Sequence, residues 1–306
     1  MVERAQARLV AKPWGTDDLH PWSREGAGRR IGEIRYDLDD REAPAPALQL
    51  KLLFADAPLS LQVHPDDAAA HLAGRRRGKS EAWCVLRAAP GAHVALGLNR
   101  PQTSAQLSAA IDDGSIAQLA DWRPVSEGDV LNLPAGTIHA LGAGLVVAEI
   151  QQLCDDSYRM FDFAGARPLH RDAAVGAADR ETAPDASPAL RLSAARSVLV
   201  ESAPFIFERL SFAPGARWRI AAARETWLLV TDGTAEIGLN PGEVGDAFHL
   251  NADRAVIEAG PLGATILCAY PGPTPDPALL FALSGSARGA AGAPSDHRAQ
   301  AGPSGR

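Results

Sequence analysis

The chain has 306 residues, with 30 Lys and Arg against 37 Asp and Glu, so its formal net charge is −7. Affinity for duplex DNA comes mainly from dense Lys and Arg contacts to phosphates, so this acidic balance argues against a nucleic-acid partner. The hydrophobic fraction of 46% allows a sizeable core, and 28 glycines with 23 prolines favour a turn-rich β protein, a disordered tail, or both.

The sequence carries no feature of a membrane or secreted protein. Its apolar runs stay well below the ~18 residues needed to span a bilayer, and residues 1–15 lack the apolar stretch of a secretory signal. Cys84, Cys154 and Cys268 are widely separated and show no C-x-x-C spacing, so they predict neither a disulfide framework nor a cysteine zinc site. We therefore expect a cytoplasmic protein with reduced cysteines and no membrane contact.

The first clear strand signals lie between residues 47 and 64. Apolar and polar residues alternate over 47–54 and again over 59–64, with Pro58 in the turn between them. Side chains two residues apart in a strand point to the same face. Gln62 and His64 are therefore predicted to lie side by side.

A short helix is predicted after Pro65, and then a strand over 81–86 with Glu81 and Trp83 on one face. A small helical insertion is predicted around 102–122, interrupted at Gly114. The strand signal over 145–152 places Glu149 and Gln151 on one face.

Composition divides the chain into four predicted regions. Residues 1–168 carry the signals above, and the Ala-, Asp- and Pro-rich residues 169–189 are predicted to be a linker or crossover. Residues 190–275 hold many short strand candidates separated by Pro and Gly turns, which indicates a barrel or double-sheet sandwich. Residues 284–306 contain no Leu, Ile, Val, Phe, Trp or Tyr and are predicted to be a disordered tail.

Two histidines stand out as candidate metal ligands. His64 lies beside Gln62, and His139 follows a Pro-x-Gly turn, with Glu81 on a strand between them. Amide oxygen, imidazole and carboxylate donors suit a divalent cation such as Zn²⁺, Mn²⁺, Fe²⁺ or Co²⁺. Spacing alone leaves open a structural role, because distant histidines also occur in proteins that bind no metal.

Four segments together resemble the class I, zinc-dependent, cupin-type mannose-6-phosphate isomerases in their short bacterial form. They are LSLQVHPDD at 59–67, GKSEAW at 78–83, LPAGTIHAL at 133–141 and EIQQ…YR at 149–159. Residues 128–139 also resemble the second metal-binding motif of cupins, and KPWG at 12–15 and IGE at 31–33 are lesser matches. The resemblance is strong over about residues 10–172 and covers the C-terminal region only in outline.

The resemblance implies a mainly β fold of two cupin-like antiparallel jelly-roll barrels, with the helical insertion in the N-terminal half. It implies a catalytic first barrel and a degenerate second barrel without metal ligands. The implied activity is interconversion of mannose 6-phosphate and fructose 6-phosphate with one zinc ion per chain. The implied zinc ligands are Gln62, His64, Glu81 and His139. The implied active-site residues are the basic Lys51, Lys79 and Arg159 and the carboxylates Glu149 and Asp155.

The implied reaction moves hydrogen between C1 and C2 through a cis-enediol. It needs a base near the carbon acid and positive charge near the developing oxyanion. Our hypothesis is that Arg159 stabilises this charge and that Glu149 or Asp155 contributes to proton transfer, the base being undecided. Cys154 before Asp155 departs from the serine that the family often has there. We expect a phosphorylated hexose as the small-molecule partner, and a monomer or weak homodimer.

Two other functions remain open from the residues alone. A metal-dependent bicupin oxygenase would also use barrel histidines, but with Fe²⁺ at an open site. A non-catalytic sugar-phosphate-binding bicupin would keep the fold and lose the acid and base groups. The joint presence of Lys79, Glu81, Glu149 and Arg159 argues against that second alternative.

Overall fold

The computed structural model describes residues 2–25, 28–39, 45–183 and 188–283. The predicted mainly β fold is confirmed, and the elements of the N-terminal half come first along the chain. They are β1 (Glu3–Arg4), β2 (Gln6–Thr16), β3 (Ile31–Asp37), β4 (Leu48–Ala55), β5 (Leu61–Val63), α1 (Asp67–Leu72), β6 (Glu81–Ala88), β7 (His93–Leu98), α2 (Ser104–Asp113), α3 (Ile116–Leu119), β8 (Ala120–Pro124), β9 (Val130–Leu133), β10 (His139–Leu141), β11 (Leu145–Gln152) and β12 (Tyr158–Phe161).

One helix connects the two halves, and the C-terminal half is made of strands. These elements are α4 (Arg171–Ala177), β13 (Leu190–Arg191), β14 (Arg196–Glu201), β15 (Phe205–Phe212), β16 (Arg217–Ala222), β17 (Thr226–Ile237), β18 (Asn240–Gly242), β19 (Ala247–Leu250), β20 (Asp253–Pro271) and β21 (Leu280–Ala282).

The N-terminal half is built from two antiparallel sheets. One has the strand order β2-β3-β4-β11-β6-β9, and the other has the order β12-β5-β10-β7-β8. Apolar side chains from both sheets share one core cluster, including Leu53 and Trp83 from the first sheet and Val94 and Leu141 from the second. The two sheets therefore pack face to face and enclose the space in which the site residues lie.

The outer faces of these two sheets are also covered. Helices α2, α3 and α4 pack on the five-stranded sheet, where Leu107, Ile111 and Ala174 join Leu61 and Met160 in one cluster. The six-stranded sheet packs on the C-terminal half. Both faces of β4 and β11 are therefore buried along their whole length.

In the C-terminal half, ten strands form one antiparallel sheet that curls around its own apolar core. Strand pairing crosses the predicted domain boundaries. The first strand, β1, pairs with β19 in this C-terminal sheet, and β21 pairs with β16 beyond residue 275. The pairing of β1 with β19 thus joins the start of the described chain to the C-terminal half, and β21 extends that half beyond its predicted end.

The predicted helical insertion around 102–122 is helical only as far as Leu119. Helix α2 begins with a capping box between Thr103 and Gln106 and ends at Gly114, which adopts a left-handed conformation with φ 79°. The last predicted helical residues instead form β8, because Ala120 and Trp122 pair with β7. The predicted linker 169–189 contains α4, and the predicted tail 284–306 lies outside the described residues.

No helix within the described ranges combines the length and apolarity needed to cross a membrane.

Candidate active site

Three predicted metal ligands meet between the two N-terminal sheets. His64, Glu81 and His139 are buried, and one donor atom from each lies within 4.8 Å of the others. Gln62 of β5 is the register partner of His139 of β10, and its Nε2 lies 3.3 Å from His139 Nε2. Glu81 opens β6 in the facing sheet, so the cluster draws on both sheets.

Backbone contacts orient the two histidines. Nδ1 of His64 lies 3.0 Å from the Asp156 carbonyl oxygen, and Nδ1 of His139 lies 2.9 Å from that of Thr137. A carbonyl oxygen only accepts hydrogen bonds, so each Nδ1 carries the proton and each Nε2 presents its lone pair to the cluster.

The histidines are held neutral by their surroundings. Burial, reinforced by the nearby Lys79 ammonium, lowers the pKa of His64 to about 3 despite the opposing effect of Glu81. Burial also lowers the pKa of His139. Both side chains are therefore in the protonation state that metal ligation requires.

Glu81 supplies a negative charge to this cluster. Burial by itself would raise its pKa, but the Lys79 ammonium, together with the neighbouring His64 and His139 side chains, holds that pKa well below the usual value. Glu81 Oε1 lies 3.2 Å from His64 Nε2, and Oε2 lies 3.6 Å from His139 Nε2. Both oxygens are buried, and neither accepts a hydrogen bond of good geometry.

This donor set fits a divalent cation. Lone pairs on the histidine nitrogens and the Glu81 oxygens face one another and repel unless positive charge lies between them. Lys79 Nζ, at 2.6 Å from Glu81 Oε1 and 3.2 Å from His64 Nε2, meets part of that requirement. Burial disfavours its charge, but Glu81 and Glu149 outweigh burial and raise the pKa of Lys79. Gln62 adds an amide oxygen when its terminal group turns by half a rotation.

A row of polar residues crosses the six-stranded sheet beside the cluster. Arg35, Lys51, Glu149 and Trp83 are successive register partners on β3, β4, β11 and β6. Lys51 Nζ lies 3.1 Å from Glu149 Oε2, and Trp83 Nε1 donates a hydrogen bond of 2.9 Å to Glu149 Oε1. Glu149 is thereby fixed from both sides.

These residues line one cavity of about 300 Å³. Lys51, Gln62, Lys79, Glu149, Asp155 and Arg159 all lie on its wall. Lys79 contacts both His64 and Glu81, so the metal-ligating cluster adjoins the same cavity. The structure thus brings the predicted site residues together.

Arg159 and Asp155 occupy different parts of this cavity. Arg159 of β12 is the register partner of Gln62, its Nη1 donates a 2.7 Å hydrogen bond to the Pro168 carbonyl oxygen, and its buried Nε has no acceptor. Asp155 is 76% exposed, and its carboxylate lies 3.5 Å from Arg35. Arg159 therefore lies beside a candidate metal ligand, whereas Asp155 lies at the solvent-facing edge.

The cavity wall also includes residues that were not among the predicted site residues. Five of them are Lys12, Trp14, Glu33, Arg35 and Arg167. Lys12 pairs with Glu33 at 2.7 Å, and the Arg167 guanidinium lies 4.9 Å from the Trp14 ring centre. The KPWG and IGE matches contain the first three, so those motifs carried a signal for them. Arg35 and Arg167 lie in no matched segment.

Two curated relatives are similar to this chain over part of its length. A mannose-6-phosphate isomerase of Streptococcus mutans is 34% identical over 165 residues, which is 52% of each chain. A mannose-6-phosphate isomerase of Bacillus subtilis is 36% identical over 117 residues, or 38% of this chain and 37% of the relative. The matched part thus spans about half of these relatives or less. No protein-family profile matches the chain.

Solved structures extend the likeness to both halves. The mannose 6-phosphate isomerase of Bacillus subtilis superposes with a TM-score of 0.76 at 21% identity, covering 87% of this chain and 98% of that one. A phosphomannose isomerase variant from Salmonella typhimurium gives a TM-score of 0.69 at 15% identity, covering 88% and 99%. The predicted resemblance to class I mannose-6-phosphate isomerases is therefore confirmed, in sequence over up to 52% of the chain and in fold over most of it.

Proposed function

We propose that this protein is an aldose–ketose isomerase that interconverts D-mannose 6-phosphate and D-fructose 6-phosphate. The observation that carries the proposal is the buried cluster of Glu81 with two buried histidines, next to a cavity lined by lysines, arginines and carboxylates. The curated relatives, each matched over about half of this chain or less, bear the name of this activity.

We assign one zinc ion per chain to Gln62, His64, Glu81 and His139. Imidazole nitrogen with amide and carboxylate oxygen is a donor set that zinc accepts, and the buried oxygens of Glu81 support the assignment. When bound, zinc would polarise the sugar oxygens at C1 and C2 as a Lewis acid.

The acid–base work is assigned to residues on the cavity wall. A base takes the proton from C2 of the aldose and returns it to C1, while a proton moves between the two oxygens. Glu149 and Asp155 are the proposed carboxylates for proton transfer, and the burial of Glu149 supports it as the one beside the reacting carbons. Lys51 holds the Glu149 carboxylate, and Lys79 adds a donor next to the metal ligands.

Arg159 is assigned to the charge that develops on the sugar oxygens. Its unpartnered Nε and its place beside Gln62 support this role, since a preoriented donor stabilises an oxyanion without reorganisation. The Arg159→Ala variant should lose turnover while keeping its zinc.

The direct test is formation of fructose 6-phosphate from mannose 6-phosphate by the purified protein. We expect turnover that is lost on chelation and restored by zinc. Absence of turnover in folded, zinc-loaded protein would overturn the proposed reaction. Oxygen consumption with bound iron would favour an oxygenase instead, and sugar-phosphate binding without turnover would favour a binding protein.

The remaining expectations are proposals of the same kind. We expect a phosphorylated hexose as the small-molecule partner, which the basic residues on the cavity wall support. We also expect action as a monomer or weak homodimer, and no nucleic-acid partner, which the net charge of −7 supports. A phosphorylated substrate and three free cysteines support action in the cytoplasm.

A further inference from the structure

Two arginines on the cavity wall have hydrogen-bonding capacity that the protein does not use. The Nε atoms of Arg35 and Arg159 are buried and have no acceptor among the described residues. A buried donor without a partner carries a desolvation cost that a bound acceptor would remove. Both side chains line the cavity, so an anionic ligand there can reach them.

Among the described residues, the other cationic side chains on the cavity wall each have a close carboxylate partner, and Arg35 and Arg159 are the exceptions. Lys12 pairs with Glu33, Lys51 with Glu149 and Lys79 with Glu81, at 2.7, 3.1 and 2.6 Å. Arg167 pairs with Asp162, whose side chain is only 2% exposed.

Arg35 has only a weak counter-charge. Within the described residues its carboxylate neighbour is Asp155, 3.5 Å away and 76% exposed, so solvent screens the pair. The guanidinium is nevertheless held in place, because Nη2 donates a 2.6 Å hydrogen bond to Gln49 Oε1 and its side chain is only 20% exposed. Arg35 is thus an oriented cation whose charge is available to a ligand.

The two arginines lie at opposite ends of the site. Arg159 pairs in register with Gln62, next to the metal-ligating cluster. Arg35 lies on β3, three strands away from Glu81 on β6, which at strand spacings of about 4.8 Å is roughly 14 Å between backbones. A hexose 6-phosphate has a matching asymmetry, with reacting carbons at one end and a dianion at the other.

We propose that Arg35 binds the phosphate group of the substrate, an inference that rests on the proposed isomerase function. Its Nε and a terminal nitrogen form the fork that matches two phosphate oxygens. The phosphate replaces Asp155 as the partner of Arg35, while Arg159 remains free for the oxygens near C1 and C2. Arg35 would then distinguish phosphorylated from free sugars.

The test compares Arg35→Gln and Arg35→Lys with a control, Arg8→Gln. Arg8 is the register partner of Arg35 on β2, is 57% exposed and pairs with Asp37. The readouts are kcat and KM for mannose 6-phosphate, competitive inhibition by inorganic phosphate, and zinc content. Thermal unfolding establishes that each variant is folded.

We expect Arg35→Gln to raise both KM and the inhibition constant of inorganic phosphate by at least about 10-fold, as loss of a charge-assisted hydrogen bond predicts. The kcat should change by less than about 3-fold, because a remote group bound equally in ground and transition states affects mainly KM. Arg35→Lys should recover part of the loss. Zinc content should be unchanged, and Arg8→Gln should match the unsubstituted protein.

The results also separate this inference from the isomerase proposal. If the protein isomerises mannose 6-phosphate and Arg35→Gln leaves KM and phosphate inhibition unchanged, Arg35 does not bind the phosphate. If the protein shows no turnover, calorimetric titration with inorganic phosphate decides. Binding that Arg35→Gln abolishes would support the anion subsite without the reaction, whereas binding that survives the substitution would overturn it.

Discussion

The two N-terminal sheets form one barrel, and the curled C-terminal sheet forms the other. The barrels differ in how far the hydrogen bonds of their buried charged side chains are satisfied. In the C-terminal barrel, Arg196 donates hydrogen bonds of 2.9 and 2.7 Å to the two carboxylate oxygens of Glu208, and the Tyr270 hydroxyl donates to the same carboxylate. In the N-terminal barrel, Glu81 Oε1 lies 2.6 Å from Lys79 Nζ, yet neither Glu81 oxygen accepts a hydrogen bond of good geometry from a described residue. Buried charge alone therefore does not identify a site in this fold, whereas a buried charge whose hydrogen-bonding capacity is unfilled does.

Removing the charge of Glu81 should have the largest effect on activity. Glu81→Gln keeps the shape of the side chain but replaces an anionic ligand by a neutral one. We expect zinc affinity to fall by more than about 100-fold, since even groups behind the ligands contribute 10–100-fold, and turnover to fall with it. Metal content after dialysis and the rate of isomerisation measure this. A variant that keeps its zinc and its rate would remove Glu81 from the site.

The matching substitution in the other barrel should act on stability instead. Glu208→Ala leaves Arg196 buried without a counter-charge, so the free energy of unfolding should fall by about 3–5 kcal/mol. The double variant Arg196→Met with Glu208→Leu should recover most of this loss. Urea unfolding measures both. Loss of turnover per folded molecule in the double variant would contradict the division between the barrels.

The contact between the barrels should matter less. The buried Tyr36 hydroxyl of β3 donates a 2.6 Å hydrogen bond to the Gly245 carbonyl oxygen, which belongs to the C-terminal half. Tyr36→Phe leaves that carbonyl unpaired, and we expect a loss of about 1–3 kcal/mol in unfolding free energy with turnover unchanged. Equal stability in urea would show that water replaces the lost donor.

The smallest expected effect is a pH dependence in the C-terminal barrel. His249 packs on Trp227 with ring centres 5.0 Å apart, and burial lowers its pKa despite nearby Glu225 and Glu3. Below about pH 6.5 the unfolded chain takes up a proton that the folded chain does not, so stability falls as pH decreases. His249→Gln should flatten the curve of unfolding free energy between about pH 6.5 and 5. An unchanged slope would assign that dependence to other groups.

Alternation predicted the site-bearing strands well. Leu50 and Lys51 were predicted on opposite faces of β4, and they lie in the inter-barrel core and on the cavity wall. That both faces are buried could not be predicted, because alternation ordinarily indicates solvent on the polar side. Here the polar side meets a cavity between two sheets.

The long strands of the C-terminal half were predicted as series of short ones. Many short strands separated by Pro and Gly turns were expected over 190–275, but β17 runs continuously from Thr226 to Ile237. Gly233 within it takes a positive φ of 69° at an irregular point in the pairing. A glycine is a turn signal in sequence, yet in a curled sheet it also serves as a bend within one strand. The pairing with neighbouring strands decides whether such a glycine ends a strand or bends it.

The same reason explains which site residues were missed. The candidate metal ligands lie in motifs whose histidine, glutamate and glutamine residues by themselves indicate metal binding. Arg35 enters the site only because β3 pairs with β4 in the register that places it beside Lys51. The local pattern shows only that Arg35 shares a strand face with Glu33, two residues before it. The register depends on residues distant in the chain, so the pattern does not show which side chains of other strands lie beside Arg35.

Strand β1 has a consequence for the order in which this protein folds. Glu3 and Arg4 pair with His249 and Phe248, so β1 can take its place in the sheet only after the much later β19 has been synthesised. The apolar outer face of the six-stranded sheet is likewise covered by C-terminal side chains such as Phe207 and Leu229. A nascent chain stalled before β15 would expose that face and be prone to aggregation. The barrel that holds the metal ligands therefore depends for its maturation on the C-terminal half, which leaves the ribosome after it.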